Sequence, residues 1–216
     1  MKYRKVLSAL ILATTLTAVC LASSPVEQAE SSAQQKYLEA VSENGNFDKV
    51  LEAEKVYEEL IKNQGEKLPY QFRLASLTSI KAKYAFWPHE KMGYANEGIR
   101  MFDALERKIQ AVKDKDVLYE FYLYRGQTYI HFPKFFNKFA IGLKDFEQAT
   151  QLAESLGRPK QELASLYFTY AKYLKKEKVT EKAKHFAQRA LDNDLPEKDR
   201  KEAQKITSLK TSYIVR

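Results

Sequence analysis

Residues that could carry out chemistry are few in this sequence and stand far apart. The histidines are His89, His131 and His185, and none is followed three or four positions later by a histidine or a carboxylate, the spacing that puts two metal ligands on one helix face. The single cysteine, Cys20, can neither pair within the chain nor build a cysteine zinc site by itself. No glycine-rich phosphate loop, G-x-S-x-G elbow or H-E-x-x-H segment is present. We therefore expect no metal, no cofactor and no enzymatic activity.

Composition and charge describe a folded protein that does not bind nucleic acid. The chain has 216 residues, of which 44% are hydrophobic and 30% charged, so a core can form and wholesale disorder is excluded. The net charge is +8, but bases and acids alternate along the chain, as in Lys176-Glu177-Lys178, and no dense basic stripe occurs. We expect no nucleic-acid partner.

The first 22 residues have the pattern of an export signal. Three positive charges within residues 1–5 precede an uninterrupted run of apolar and small residues at 6–19, and small residues stand at 20 and 22, as cleavage after Ala22 requires. The run is shorter than the roughly 20 residues that span a bilayer. We therefore predict a signal peptide at 1–22 and a periplasmic or secreted mature protein of 216 − 22 = 194 residues.

Lipidation is the alternative fate of the same segment. Cys20 would then be the acylated first residue of a lipid-anchored envelope protein. Val19 argues against this processing, which normally requires Gly, Ala or Ser immediately before the cysteine. Only acylation of Cys20 would make a membrane one of the partners of this protein.

The rest of the chain has the periodicity of helices. Residues 23–32 are small and polar, and we predict a flexible lead-in there. From Ala33 onward, apolar residues recur every three or four positions without sustained alternation of period two, so we predict an all-α domain at 33–209 and a tail at 210–216. Proline and glycine mark the expected helix ends: Gly45, Gly65, Pro69, Pro88, Gly93, Pro133, Gly157, Pro159 and Pro196.

Successive helix pairs repeat one arrangement of small and aromatic residues. Residues 122–129 place Gly126 among aromatic side chains, and Gly142, Phe146 and Ala149 follow at four- and three-residue spacing. Related positions in the other pairs are Gly98, Phe102, Ala171 and Ala183. Glycine inside a helix costs about 1 kcal/mol relative to alanine. Glycine at these positions therefore indicates that a neighbouring helix lies so close that a Cβ atom would clash with it. Each pair alone cannot bury its apolar face, so we predict that the pairs stack side by side.

This pattern resembles the tetratricopeptide repeat (TPR), whose signature is W-x2-L-G-x2-Y followed by A-x3-F and A-x2-P. The match covers about residues 33–193 and is most specific over 117–193. The resemblance implies a right-handed α-solenoid of about four antiparallel helix pairs, which a charged helix at 196–209 would cap. The spacings from Gly98 to Gly142 (44 residues) and from Gly142 to Ala183 (41 residues) exceed the usual ~34, and Lys81 stands at a position that is normally small.

The resemblance also implies a binding groove lined by the first helix of each pair. The family's groove positions correspond here to Leu123 and Gln127 in the third pair and to Phe168 and Lys172 in the fourth, with Lys175 one turn further on. This mostly apolar groove with a basic end suits an amphipathic or apolar segment of another protein.

The extra length of the second and third pairs lies in aromatic loops between their two helices. The loops share an aromatic-proline step and carry Trp87 in one and Phe132, Phe135 and Phe136 in the other. Two interpretations stay open: the rings fold back over the helix ends, or they protrude as a second contact for a partner. We expect exposure at Phe135-Phe136, because two adjacent side chains on a turn can rarely both be buried.

These observations lead to a hypothesis about function. We predict an exported TPR-like scaffold that binds a protein or peptide segment of the cell envelope in its groove, with the aromatic loops as a second contact. One alternative is a small-ligand-binding or accessory component of an envelope transport system, in which Trp87 and Phe132 would line a closed pocket. Another is a catalytic domain assembled from distant helices. The identity of the partner and the oligomeric state do not follow from the sequence.

Overall fold

The computed structural model describes residues 24–42 and 44–209, and all regular structure in these ranges is helical, without any strand. The predicted signal peptide at 1–22, Cys20 and the predicted tail at 210–216 lie outside the described residues. The helices are α1 (Pro25–Val41), α2 (Phe47–Gln64), α3 (Leu68–Tyr84), α4 (Pro88–Ile109), α5 (Lys115–Ile130), α6 (Phe139–Ser155), α7 (Lys160–Lys176), α8 (Thr180–Leu191) and α9 (Glu197–Thr207), with a 3-10 turn at Lys134–Phe136. Among the described helices, none is both long and apolar enough to cross a bilayer.

Helix boundaries follow the proline and glycine positions, with two exceptions. Proline stands in the first turn of α1, α3 and α4, where its fixed φ suits the helix and its missing N–H is not needed. Gly65 ends α2 with φ of 85°, in the left-handed region that glycine adopts without strain. Gly93, predicted as a boundary, lies inside α4. Pro133 begins the 3-10 turn rather than α6.

The predicted flexible lead-in at 23–32 is wrong for the residues that the structure describes, because α1 begins at Pro25. Ser24 caps this helix: its Oγ accepts from the Glu27 backbone N–H at 3.2 Å, and its own N–H donates to Glu27 Oε2 at 2.8 Å. This reciprocal capping box satisfies two backbone donors that would otherwise lack a partner. The signal is present in the sequence as Ser-Pro-Val-Glu.

The chain forms two compact units, one that ends at Thr128 and one that begins at Tyr129. In the first unit, α1, α3 and α5 lie side by side. The Tyr37 hydroxyl is 3.0 Å from Ser76 Oγ, and the Thr128 hydroxyl donates to the same Ser76 Oγ at 3.2 Å. Helices α2 and α4 both pack on α3 and meet through the rings of Phe47 and Tyr94, 6.1 Å apart. The helices of this unit therefore form two layers.

The second unit repeats this arrangement. Helix α7 packs against α6, α8 and α9. The rings of Phe146, Tyr170 and Phe186 form its core, with centroids 6.2 and 4.7 Å apart in that order. Helix α9 places Ala203 and Ile206 in the interior and packs on α8 and α7, as predicted for the C-terminal helix.

The prediction of an all-helical chain with neighbouring helices packed in pairs is confirmed within the described residues. The small residues on which it depended are buried, including Gly98, Gly126 and Gly142. At Gly98 the contact is very close: a Cβ built on it would lie 1.8 Å from Ser79 Oγ and 3.1 Å from Ser79 Cα.

Candidate binding surfaces

An exposed aromatic surface lies at the turn between α3 and α4. Phe86 is 78% exposed and Trp87 is 56% exposed, and their rings meet edge to face with centroids 4.9 Å apart. The imidazole of His89 stacks against Trp87 at 6.5 Å, and Met92 follows on the first turns of α4. These four residues are called the α3–α4 surface below. The aromatic rings here protrude, so the interpretation of folded-back rings fails at this turn.

Two helix ends hold the α3–α4 surface in place. The Ala85 N–H donates to the Lys81 carbonyl at 2.9 Å and closes α3. The Trp87 N–H donates to Glu90 Oε2 at 3.2 Å, so Trp87 occupies the N-cap of α4. The turn between α3 and α4 is therefore short, because residues 88–94 already belong to α4.

A second aromatic surface lies between α5 and α6. Phe135 is 65% exposed, whereas Phe132 and Phe136 are half-buried. The Phe135 and Phe136 rings are 4.5 Å apart, Phe136 contacts Phe132 at 5.3 Å, and Phe132 contacts the buried Tyr129 at 5.7 Å. Phe132, Phe135 and Phe136 are called the α5–α6 surface below. Both interpretations of the loop hold here: two rings pack over the helix end, and one protrudes.

Acidic residues are scarce in the chain around both surfaces, where Glu90 is the one acid at residues 67–96. No Asp or Glu occurs between Glu66 and Glu90, and none occurs between Glu120 and Asp145. Exposed lysines flank the aromatic residues in both places, with Lys83 and Lys91 beside the first surface and Lys134 beside the second. Each surface therefore combines apolar rings with positive charge.

A polar network fixes the layer of first helices in the first unit. The guanidinium of Arg73 on α3 makes two hydrogen bonds to the Glu120 carboxylate on α5, at 3.0 and 3.1 Å. Its Nε donates to Gln34 Oε1 on α1 at 3.0 Å, and the guanidinium also lies 4.9 Å from the centre of the Tyr124 ring. Charged bidentate bonds of this kind are the stronger ones in proteins, so they set the spacing of three helices.

Three buried tyrosines of the first unit, on α1, α2 and α5, are unsuited to proton transfer at neutral pH. Burial raises the pKa of Tyr37, Tyr57 and Tyr124 above its usual range, because the phenolate would be poorly solvated in the interior. All three stay neutral and act as hydrogen-bonding and packing residues.

The predicted register of α3 is wrong by two residues. Ser79, and not Lys81, stands opposite Gly98 at the close contact with α4. Lys81 instead donates to Glu54 on α2 at 2.8 Å, in an ion pair whose side chains are each 13% exposed, and its ammonium lies 4.8 Å from the Tyr94 ring. A lysine fits at this position because a carboxylate on the neighbouring pair receives it.

The predicted groove residues have different environments in the two units. Leu123 and Gln127 are half-buried on α5, on the same helix face as Glu120. Lys175 is exposed in the last turn of α7. These three side chains are at least partly exposed to solvent.

Phe168 cannot line an open groove, because it is only 1% exposed. One turn further along α7, the Lys172 ammonium lies 4.5 Å from the Phe168 ring and is half-buried. Burial lowers the pKa of Lys172, while the carboxylates of Glu202 and Asp199 on α9 oppose that shift. Helix α9, which packs on α7, therefore lies near Lys172.

The first unit also contains an open cavity of about 270 Å³ between α2, α3 and α4. Apolar and polar side chains line it together: Ile61, Glu66, Gln71, Leu74, Met101, Ala104, Leu105 and Lys108. Lys108 Nζ donates to Gln71 Oε1 at 3.0 Å. Neither Trp87 nor Phe132 lines this cavity.

The histidines occupy separate places. The Nε2 atom of His131 is 2.9 Å from the Tyr173 hydroxyl, His89 stacks on Trp87, and His185 contacts the Phe186 ring at 5.3 Å. Within residues 24–42 and 44–209, no group of three or more His, Cys, Asp or Glu side chains is arranged to hold a metal ion.

Comparison with known proteins gives no match: no family model, no curated protein and no solved structure is similar to this chain. The surfaces and contacts described above are therefore the basis for assigning a function.

Proposed function

We propose that this chain is an exported, TPR-like right-handed α-solenoid that acts as a scaffold and binds a polypeptide segment of the cell envelope along its first helices. The pairing of neighbouring helices and the repeated two-layer packing in each unit support the solenoid. The basic N-terminal residues and the apolar run at 6–19 support export.

The observation that carries the proposal is the layer formed by α1, α3 and α5. Contacts between Gln34, Arg73 and Glu120 join all three helices and hold the layer in one geometry before any partner arrives. Association costs less when the binding surface needs no ordering. A layer fixed in this way suits the docking of an extended or helical segment of another protein.

The binding residues on this layer lie on α5. Leu123 offers an apolar contact, and Gln127 offers both a donor and an acceptor, one turn apart on the face that carries Glu120. A partner segment with an apolar side chain beside a polar backbone or side-chain group would match them. The predicted basic end of the groove consists of Lys172 and Lys175 in the second unit. Lys175 is exposed there and would contact the partner.

Photocrosslinking in intact cells tests this proposal. A photoreactive amino acid at Gln127 should give discrete adducts with an envelope protein, and Leu123→Arg in the same background should reduce them. The matched control is the same photoreactive residue at Glu58, which is exposed on α2. Equal adducts at both positions, or adducts at Glu58 alone, would show that the first helices are not the binding face.

The cavity in the first unit favours a second candidate function, the binding of a small apolar ligand by a transport accessory protein. Its volume of about 270 Å³ is slightly below the usual range of ligand pockets, about 300–1,000 Å³, and Lys108 and Gln71 would orient a polar end group. Native mass spectrometry of protein purified from its cells would then show a bound small molecule. Ala104→Trp, which fills the cavity, should abolish that binding, and retention of the molecule would rule this candidate out.

A further inference from the structure

Large apolar rings are left in water at the α3–α4 surface. Phe86 and Trp87 stand on a turn, 78% and 56% exposed, with Met92 at 40% nearby. Contiguous exposed apolar groups of this size mark contacts with proteins or membranes. Tryptophan in particular is enriched at the membrane–water interface, where its ring sits among headgroups and its N–H keeps a polar partner.

Positive charge accompanies the rings, and Glu90 is the one acid at residues 67–96 of the sequence. The acid-free stretch from residue 67 to residue 89 ends at Glu90, whose carboxylate is already engaged by the Trp87 N–H. Lys83 and Lys91 are exposed beside the surface. The combination complements a surface that is apolar beneath an anionic layer.

The same chemistry recurs in the second unit. The stretch from residue 121 to residue 144 is also free of acids, and within it Lys134 and Phe135 are both exposed. Both surfaces occupy the turn between the first and second helix of a pair. Two occurrences at equivalent turns argue for a shared purpose rather than a chance exposure.

We propose that the α3–α4 surface and the α5–α6 surface each bind a membrane surface that contains anionic phospholipids. The rings enter the interface and the flanking lysines contact the headgroups. A peptide ligand would need groove walls around its side chains, whereas a bilayer needs only protruding apolar side chains. This docking goes beyond the proposed scaffold function, uses different residues, and requires no acylation of Cys20.

The emission of Trp87 provides a local test, because it is the single tryptophan among 216 residues. The purified full chain is mixed with vesicles of phosphatidylcholine, with or without phosphatidylglycerol. We expect the Trp87 emission to move to shorter wavelength only with phosphatidylglycerol, and brominated lipids to quench it. High salt should reverse the shift, because the lysine contribution is screened.

Variants separate this docking from any effect of the apolar segment at 6–19, which all of them share. Lys83→Gln should weaken vesicle binding about fivefold, the usual contribution of one lysine near an anionic surface. Phe86→Ser should weaken it further, with an unchanged melting temperature because the ring is exposed. The controls Leu51→Ser and Lys62→Gln, both at exposed positions of α2, should leave binding unchanged.

The second surface is tested by cosedimentation with the same vesicles. Phe135→Ser and Lys134→Gln should each lower the bound fraction in anionic vesicles. The proposal is wrong if Trp87 emission is unchanged by phosphatidylglycerol, or if the shift persists in Lys83→Gln and Phe86→Ser. If the chain self-associates and Phe86→Ser abolishes this association, the surface binds a second copy of the chain instead. If a crosslinker at position 86 captures an acidic protein, the surface binds that protein instead. Because the vesicle assay contains no polypeptide partner, its failure leaves the scaffold function standing.

Discussion

At the scale of single residues, the polar side chains of the first unit decide how its helices are spaced. Arg73 reaches both neighbouring first helices through Gln34 and Glu120. Burying a guanidinium is costly, and the cost is offset only when its donors find acceptors in good geometry. The arginine therefore favours one arrangement of α1, α3 and α5 over other packings of equally apolar helices.

Replacing this arginine should be destabilising. Arg73→Ala leaves the Glu120 carboxylate without its two charged hydrogen bonds, and we expect a loss of about 2–3 kcal/mol in the free energy of unfolding. The loss is smaller than for a fully buried pair because the Glu120 side chain is still 28% exposed. Urea denaturation followed by circular dichroism measures it. Glu120→Gln keeps one hydrogen-bond acceptor for Arg73 and should lower the free energy of unfolding clearly less. Equal losses for the two variants would show that the charge of the ion pair does not determine the stability.

A second residue-scale prediction concerns the pH dependence of stability. Burial lowers the pKa of Lys172 in the folded state below its usual value of 10.5. Between these two pKa values the unfolded chain holds the proton and the folded protein does not. The free energy of unfolding therefore rises as the pH increases from the folded pKa to 10.5. Lys172→Met should therefore raise the melting temperature at neutral pH, and the gain should shrink as the pH approaches 10.5. The cation–π contact with Phe168 reduces this gain. The control Lys175→Met, at an exposed position, should give no pH-dependent difference, and a constant gain for Lys172→Met at every pH would contradict the mechanism.

At the scale of helices, replacement by alanine should have opposite effects on the melting temperature at two glycines of α4. A Cβ on Gly98 would overlap Ser79 of α3, whereas a Cβ on Gly93 has no neighbouring atom within 4 Å. Alanine is favoured over glycine inside a helix by about 1 kcal/mol. Gly93→Ala should therefore raise the melting temperature by about 2–4 °C, and Gly98→Ala should lower it despite the better helix propensity.

The cause of the Gly98 effect can be checked with a compensating change on α3. Ser79→Gly removes the Oγ and Cβ atoms that a new Cβ would meet at 1.8 and 2.9 Å. The double variant should recover part of the stability lost in Gly98→Ala. Strictly additive losses would mean that the two helices do not touch at this point.

Helix ends and helix pairing could be predicted from the sequence because their signals are local. Proline in the first turn and Gly65 past the end of α2 mark the boundaries, and three- to four-residue spacing identifies the buried faces. The capping box at Ser24 was equally local, but the small polar composition of residues 23–32 favoured a flexible segment instead. Propensity alone gave the wrong answer there because the cap and the buried Ala33 hold the helix.

The register of α3 and the burial of Phe168 could not be predicted from such local signals. Lys81 fits its position only because Glu54, 27 residues earlier, lies across the helix interface. Phe168 is buried on α7, which packs against α6, α8 and α9. Contacts of this kind depend on which helices become neighbours, and a periodic pattern along one helix does not contain that information. Exposure of Phe135 was predictable, because adjacent rings on a turn cannot share one interior face.

At the scale of the whole molecule, the proposed solenoid differs from a globular bundle in how it loses structure. In a stack of repeats each pair contacts only its neighbours, so damage at one end stays local. A bundle with one shared core unfolds as a single cooperative unit. The chain has two compact units rather than one, which favours a stack over a single shared core.

Hydrogen exchange of Ile206→Asp distinguishes these cases. Ile206 is fully buried at the contact of α9 with its neighbours, so a carboxylate there should open α9 and the adjoining parts of α7 and α8. We expect amides of these helices to lose protection while those of α1 to α4 keep theirs, as measured by mass spectrometry. Gly98→Ala is the reciprocal control, because its damage should remain in α3 and α4. If either substitution lowers amide protection evenly from α1 to α9, all helices share one cooperative core and the chain is not a stack of pairs. The groove and the turns would then be features of a globular helical domain.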